Sequence, residues 1–122
     1  MTQNLDRFEL RLVELILANN SLKYKWLMKQ LPFLKVKERK FSSVGGYINF
    51  SFSDNSLCLQ SDFISCELIL SVPQILKVKE KDDYMSFELN VTNGYIDFME
   101  IVVNGLWDWD GTYDKLEIID FK

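Results

Sequence analysis

The stretch YMSFELNVTNGYIDFMEIVVNGLWDWDG, residues 84–111, decides the predicted fold. Before the dipeptide Asn93-Gly94, apolar side chains alternate with polar ones, as they do in a β-strand with one buried face. Asn-Gly suits a type I′ turn best, because both of its residues tolerate a positive φ. The stretch therefore predicts a β-hairpin with a two-residue loop, in which Thr92 faces Tyr95.

The same register predicts a carboxylate on the apolar face of the hairpin. Counted back from the turn, Leu89 faces Phe98 and Phe87 faces Glu100. A carboxylate among apolar side chains must be hydrogen-bonded, paired or protonated, so both a structural role and a binding or catalytic role stay open. A loop that is one residue longer would place Asp97 there instead, because the register decides the face.

The N-terminal third predicts helices. Between Asn4 and Ala18 the apolar residues recur at intervals of three and four, which places them along one helix face, and Asn4 is the expected N-cap. A second, shorter helix would begin at Ser21 and end before Pro32. Residues 22–28 also alternate as a strand would, so this second helix has an alternative.

The rest of the chain predicts strands. After Gly45-Gly46, interpreted as a flexible entry to a strand, residues 48–52 alternate with period two, and residues 75–79 and 113–121 are further predicted strands. Residues 63–72 are another strand candidate, but their apolar residues run together, so a strand buried on both faces or a short helical piece are the alternatives. The sequence thus predicts an α+β fold in a single domain, residues 1–122. One or two N-terminal helices would pack on a largely antiparallel sheet of about five or six strands.

The composition excludes several chemistries. The chain has no histidine, which removes His-based nucleophile activation and imidazole metal sites. Cys58 and Cys66 are interpreted as buried thiols, and no phosphate-binding or dinucleotide-binding glycine motif occurs. Acids at 108, 110 and 114 lack the spacing of a calcium loop. We therefore expect no cofactor and no metal, and the remaining enzymatic possibility is carboxylate chemistry.

Acidic and basic side chains are unevenly distributed along the chain. Residues 82–122 hold ten acidic and two basic side chains, whereas residues 1–81 hold eight and twelve. Seven of the basic side chains fall in residues 23–40, which are interpreted as a solvated face rather than a nucleic-acid site, given a pI near 4.8. With no apolar run of roughly 20 residues, we expect a cytoplasmic protein that does not contact a membrane. The acidic C-terminal third predicts a basic protein partner.

The segment after the hairpin combines aromatic and acidic residues. In an extended backbone Trp107 and Trp109 share one face, and Asp108 and Asp110 share the other. The tryptophans would belong either to the core or to a protein-binding edge, because tryptophan is enriched at interface hot spots.

The run from Gly94 to Ile101 (GYIDFMEI), followed by the acidic aromatic segment of residues 106–111, resembles small bacterial immunity proteins. These are the cytoplasmic partners of contact-dependent growth inhibition toxins and related polymorphic toxins. Many have a Gly-x-(aliphatic)-x-x-(Leu/Met)-Glu run late in a chain of this length. The resemblance implies a non-enzymatic protein that binds and neutralises a cognate toxin domain, and it transfers no functional residue.

We expect the binding surface to lie in the acidic C-terminal third. The candidate partner-binding residues are Trp107, Asp108, Trp109, Asp110, Asp97, Glu88 and Glu100. An alternative is a small enzyme or ligand-binding domain that uses Glu100 and Asp97. A third hypothesis is a subunit of another assembly, which exposed tryptophans would hold as a stable homo-oligomer.

Overall fold

The computed structural model describes residues 2–53 and 67–120. The helical elements are α1 (Arg7–Asn19), α2 (Ser21–Tyr24) and a 3₁₀ helix (Lys25–Phe33). The strands are β1 (Leu34–Ser42), β2 (Gly45–Phe52), β3 (Leu68–Leu70), β4 (Gln74–Val78), β5 (Tyr84–Thr92), β6 (Tyr95–Asn104) and β7 (Leu116–Asp120). They form one antiparallel sheet in the order β1-β2-β6-β5-β4-β7, and β3 pairs with β5.

This architecture confirms the α+β prediction, with N-terminal helices on a largely antiparallel sheet. The sheet has seven strands rather than about five or six, and the strand that the sequence did not reveal is β1. The predicted strand over residues 63–72 lies partly outside the described residues, which include β3 at its C-terminal end. Cys58 and Cys66 also lie outside them. No helix in residues 2–53 or 67–120 is long and apolar enough to cross a membrane.

Helix α1 begins later than predicted. Its N-cap is Asp6, whose carboxylate accepts a hydrogen bond from the backbone N–H of Phe8, while Glu9 accepts one from the N–H of Asp6. This reciprocal capping box satisfies two backbone donors that a cap at Asn4 would leave unpaired. Asn4 instead accepts a hydrogen bond from Lys35 on β1.

The second predicted helix is mostly a 3₁₀ helix. Only residues 21–24 are α-helical, and Pro32 lies inside the following 3₁₀ segment. One buried side chain in this segment, Gln30, joins it to the hairpin: Nε2 donates to the carbonyl of Gly94 at 2.8 Å, and Oε1 accepts from the N–H of Ile96 at 2.8 Å. Gln30 therefore supplies hydrogen-bond partners on the C-terminal side of the Asn93-Gly94 turn.

Four basic residues of the cationic stretch lie on β1, which is an edge strand of the sheet. Three of them are lysines, and charged side chains along a sheet edge oppose pairing with another chain. The fourth, Arg39, lies on the face of the sheet that α1 covers, where it binds Glu9 of that helix. The register of β1 and β2 shifts between Val36 and Glu38, so Lys37 is an additional residue on β1.

The hairpin turn is the predicted one, but the register changes beyond it. Asn93 and Gly94 have φ of 53° and 81°, and Thr92 pairs with Tyr95. A bulge then inserts Asp97, because Val91 pairs with Ile96 and Asn90 pairs with Phe98.

The predicted pairing from this point onward is wrong, and so is the placement of Glu100 on the apolar face. Leu89 pairs with Met99, Phe87 pairs with Ile101, and Glu100 pairs with Glu88. Met99 and Ile101 are fully buried in the position that Phe98 and Glu100 were expected to occupy. Burial of an unpaired carboxylate costs far more free energy than one bulged residue, which explains this register.

The helices cover one face of the sheet. Apolar residues of α1, including Leu12, Val13 and Ile16, join the buried side chains of β2, β5 and β6 in one hydrophobic cluster. Because side chains alternate along a strand, the polar positions of these strands lie on the opposite face. We call this opposite face the outer face.

Gly45 is constrained by packing rather than by a need for flexibility. Its φ is +121°, and a Cβ would lie 2.1 Å from the carbonyl oxygen of Ile101 on β6. Gly111 also has a positive φ, +82°, but a Cβ there would meet nothing within 4 Å. Comparison of the two glycines therefore distinguishes the effect of a close backbone contact from the effect of a positive φ.

We expect Gly45→Ala to lower the free energy of unfolding by about 1–3 kcal/mol more than Gly111→Ala does, because only the first change adds steric overlap to an unfavourable φ. Urea denaturation of the two variants measures the difference. Equal losses would mean that β2 and β6 separate without cost at this position.

Candidate functional site

A row of four side chains crosses the outer face at the level of Glu100. The strand registers pair Lys40 on β1 with Tyr47 on β2, Tyr47 with Glu100 on β6, and Glu100 with Glu88 on β5. The bulge at Asp97 creates this row, since it turns Glu100 away from the core. Two glutamates therefore lie side by side near the centre of the sheet.

The glutamate pair has no cationic partner within 4 Å in residues 2–53 and 67–120. The lysine of the row and the lysine of β4 are each near another acid: Lys40 is 3.8 Å from Glu38, and Lys77 is 3.8 Å from Glu117. Like charges directly opposite each other on antiparallel strands destabilise a sheet. The charges of the pair therefore do not stabilise the sheet.

The side of the pair that faces β2 is aromatic. Tyr47 is 42% exposed, and its ring lies 5.6 Å from that of Phe98 in an edge-on arrangement. The negative charge of Glu100 and a hydrogen bond to it raise the pKa of the Tyr47 hydroxyl. Val102 adds an exposed aliphatic side chain on the same face. Tyr47, Phe98, Glu88 and Glu100 thus form an acidic and aromatic surface, which we call the outer-face site.

The side of the pair that faces β4 is open. Residues 89–91 of β5 pair with β3, and residues 84–85 pair with β4, so residues 86–88 have no strand partner on that side. A cavity of about 380 Å³ occupies the gap, with the β3–β4 connection as its far wall. Glu88, Glu100, Ser86 and Asn104 are among its lining residues.

The two tryptophans take different positions. Trp109 is 5% exposed, its ring packs against Phe41 and Tyr113 in the core, and its Nε1 donates to the carbonyl of Thr112 at 2.9 Å. The core alternative therefore holds for Trp109, and its side chain is not available to a partner. Trp107 is half-buried, and its Nε1 donates to the carbonyls of Asn104 and Tyr84.

The predicted aspartates do not form one cluster with the glutamate pair. Asp110 is exposed and caps the next turn through the N–H and hydroxyl of Thr112, and these hydrogen bonds lower its pKa. It also lies 3.7 Å from Lys115. Asp108 is exposed beside it, whereas Asp97 accepts a hydrogen bond from the hydroxyl of Thr92 at 2.7 Å.

Of the seven predicted residues, the structure brings Glu88 and Glu100 together and places the others elsewhere. Tyr47 and Phe98 were missed as members of the site. The signal that could have identified them is the alternation of Met99, Ile101 and Val103, which already favours a register with Glu100 outward.

Comparison with models of protein families, with curated proteins and with solved structures gave no match. Among the described residues, no group of three or more acids or cysteines is arranged to hold a metal ion. The outer-face site is therefore interpreted from its own geometry and charge.

Proposed function

We propose that this chain is a non-enzymatic immunity protein that binds and neutralises a cognate bacterial toxin domain in the cytoplasm. The run that resembles such proteins, Gly94 to Ile101, forms the turn and first part of β6. That strand also carries Phe98 and Glu100 of the outer-face site. The resemblance supports the role of the protein, and the placement of the binding surface rests on the geometry of this strand alone.

The observation that carries the proposal is the Glu88–Glu100 pair, which lies beside exposed Tyr47 and has no cationic partner within 4 Å in the described part of the chain. Aromatic side chains supply contact area with little loss of conformational entropy, and a negative surface attracts a basic partner and fixes its orientation. A basic toxin domain that docks here would lose access to its substrate by steric block, with no chemical step performed by the immunity protein.

The outer-face site changes the expected placement of the interface. Glu88 and Glu100 become its centre, Asp108 and Trp107 remain candidates for its margin, and Trp109 is excluded by burial. The alternative of a small enzyme that uses Glu100 and Asp97 has less support, because Asp97 binds Thr92 and no contact joins the two carboxylates in the described part of the chain.

Reversal of both central charges, Glu88→Lys with Glu100→Lys, is expected to raise the dissociation constant for the toxin domain at least about 100-fold, because like charges across an interface cost several kcal/mol. The partner to test is the toxin domain of a large secreted protein encoded directly upstream. Binding is measured by calorimetry, and protection is measured as growth during co-expression with the toxin.

A variant with the same change in net charge serves as the control: Glu14→Lys with Asp82→Lys, two exposed acids outside the site. It should keep affinity within about threefold of the parent, because exposed charges remote from an interface act mainly through screened long-range attraction. Equal losses in both variants, or no loss in either, would place the interface elsewhere. Urea denaturation of Glu88→Lys with Glu100→Lys shows whether this variant is folded, and weaker binding by a Glu88→Gln variant of parental stability assigns the effect to binding.

A further inference from the structure

We propose that the cavity beside Glu88 and Glu100 receives an arginine side chain from the basic partner. This inference rests on the proposed function and specifies the chemistry that the outer-face site recognises. The cavity volume, about 380 Å³, lies within the range of roughly 300–1,000 Å³ that is typical of small-ligand sites. One long side chain can therefore enter it from the open face.

The lining of the cavity offers more acceptors than donors. The carboxylates of Glu88 and Glu100 accept only. Asn104 uses its Nδ2 to donate to Ser86 Oγ at 3.1 Å and to the carbonyl of Val102 at 3.2 Å. Gln74 likewise donates from Nε2 to Asp120 at 2.9 Å. An incoming group must therefore supply hydrogen-bond donors, and a positive charge matches the two carboxylates.

Gln74, which lines the cavity, also contains a buried acceptor. The Oε1 atom of Gln74 is buried and has no hydrogen-bond partner within residues 2–53 and 67–120. The carboxylate of Asp120 accepts only, so the amide nitrogen of Gln74 must face Asp120, and the orientation of the amide is fixed.

The spacing of the two carboxylates favours arginine over lysine. Directly paired residues on antiparallel strands have Cα atoms about 4.5–5.5 Å apart, so the carboxylates of Glu88 and Glu100 lie close enough to be joined by one planar group. A guanidinium presents five donors in a fixed fork and can bridge two acceptors, whereas an ammonium is a compact point charge.

The rest of the partner segment would lie across the aromatic side of the pair. Tyr47 is the cross-strand neighbour of Glu100 on the side away from the cavity, and Phe98 packs against Tyr47. A segment that inserts an arginine therefore places its adjacent residues over an exposed aromatic surface. This continuity distinguishes a protein segment from a free amine as the natural occupant.

Titration of the ¹⁵N-labelled full chain with N-acetyl-argininamide tests the proposal by nuclear magnetic resonance. We expect saturable shifts centred on the amides of Ser86, Glu88 and Glu100, and at least roughly tenfold weaker binding of the neutral isostere N-acetyl-citrullinamide. N-acetyl-lysinamide should bind more weakly than the arginine probe. Glu88→Gln with Glu100→Gln should abolish saturation, whereas Glu14→Gln with Asp82→Asn should preserve it.

Equal shifts with the citrulline and arginine probes, or shifts spread over all acidic surfaces, would overturn the cavity assignment. Failure here is distinguishable from failure of the proposed function. Toxin binding that depends on Glu88 and Glu100 without any response to the arginine probe would reject only the cavity occupant. A specific response to the arginine probe in a chain that fails to protect against the toxin would reject only the immunity function.

Discussion

Arg39→Met is expected to lower the free energy of unfolding by about 3–5 kcal/mol, because it leaves a buried carboxylate without its counter-ion. Glu9 is 0% exposed, and the guanidinium of Arg39 binds it through two hydrogen bonds, Nε to Oε2 at 2.6 Å and Nη2 to Oε1 at 2.7 Å. The hydroxyl of Tyr113 also donates to Glu9. One carboxylate therefore joins α1, β1 and the segment before β7.

Two variants make the comparison specific. Glu9→Gln should cost less than Arg39→Met, because the remaining arginine is 27% exposed and can turn its charge to water. Lys37→Met, an exposed lysine on the same strand, should change stability by no more than about 0.5 kcal/mol. Guanidinium denaturation gives all three values, and an Arg39→Met loss no larger than that of Lys37→Met would show that Glu9 needs no counter-ion.

The cost of Arg39→Met should also depend on pH. Burial alone raises the pKa of Glu9, but the hydrogen bonds from Arg39, Tyr113 and the N–H of Asp6 outweigh it and lower this pKa below the usual glutamate value of about 4.3. The unfolded chain therefore binds more protons than the folded one near this pH, and stability falls as pH decreases through the folded pKa. The difference between parent and variant should be largest at neutral pH and shrink below about pH 4.5.

Gln30→Leu is expected to lower the free energy of unfolding by about 2–4 kcal/mol, because two buried backbone groups lose their partners at once. These groups are the carbonyl of Gly94 and the N–H of Ile96, each 2.8 Å from the Gln30 amide. Leucine has a similar volume, so the loss reports hydrogen bonding rather than a cavity. Lys29→Leu, an exposed change in the same 3₁₀ helix, is the control.

Hydrogen exchange at Ile96 gives this prediction a local measurement. The Ile96 amide should be protected in the parent and exchange much faster in Gln30→Leu, relative to amides at the far end of the hairpin. Unchanged protection of Ile96 would mean that another acceptor replaces Gln30, and the predicted stability loss would then be wrong.

The elements with local signals could be predicted from the sequence. Asn93-Gly94 determines its turn through the φ values that its two residues tolerate, and α1 follows from apolar spacing. Strand β1 has no such signal, because its lysines and Arg39 interrupt the alternation. It forms because Leu34 and Val36 add to the core and its backbone pairs with β2. Tertiary pairing decides this strand more than propensity does.

The candidate site was predicted in part, and the reason lies in a single residue. Glu88 and Glu100 were among the candidates, but their pairing depends on the bulge at Asp97, which no local sequence pattern predicts. Trp109 shows a second reason. A tryptophan between two aspartates is typical of an interface, yet its ring packs against Phe41 and Tyr113 in the core. Interfaces and cores use the same aromatic residues, so the sequence alone is compatible with either position for Trp109.

Because of the bulge at Asp97, the number of residues in β6, as well as their types, decides which of its side chains reach the surface. Every position after Asp97 changes face if one residue is removed from the strand, so Phe98 and Glu100 would exchange places with Met99 and Ile101. Two chains with the same residues around Glu100 can therefore present opposite surfaces. Related proteins should be aligned from the bulge rather than from the Asn93-Gly94 turn when their binding faces are compared.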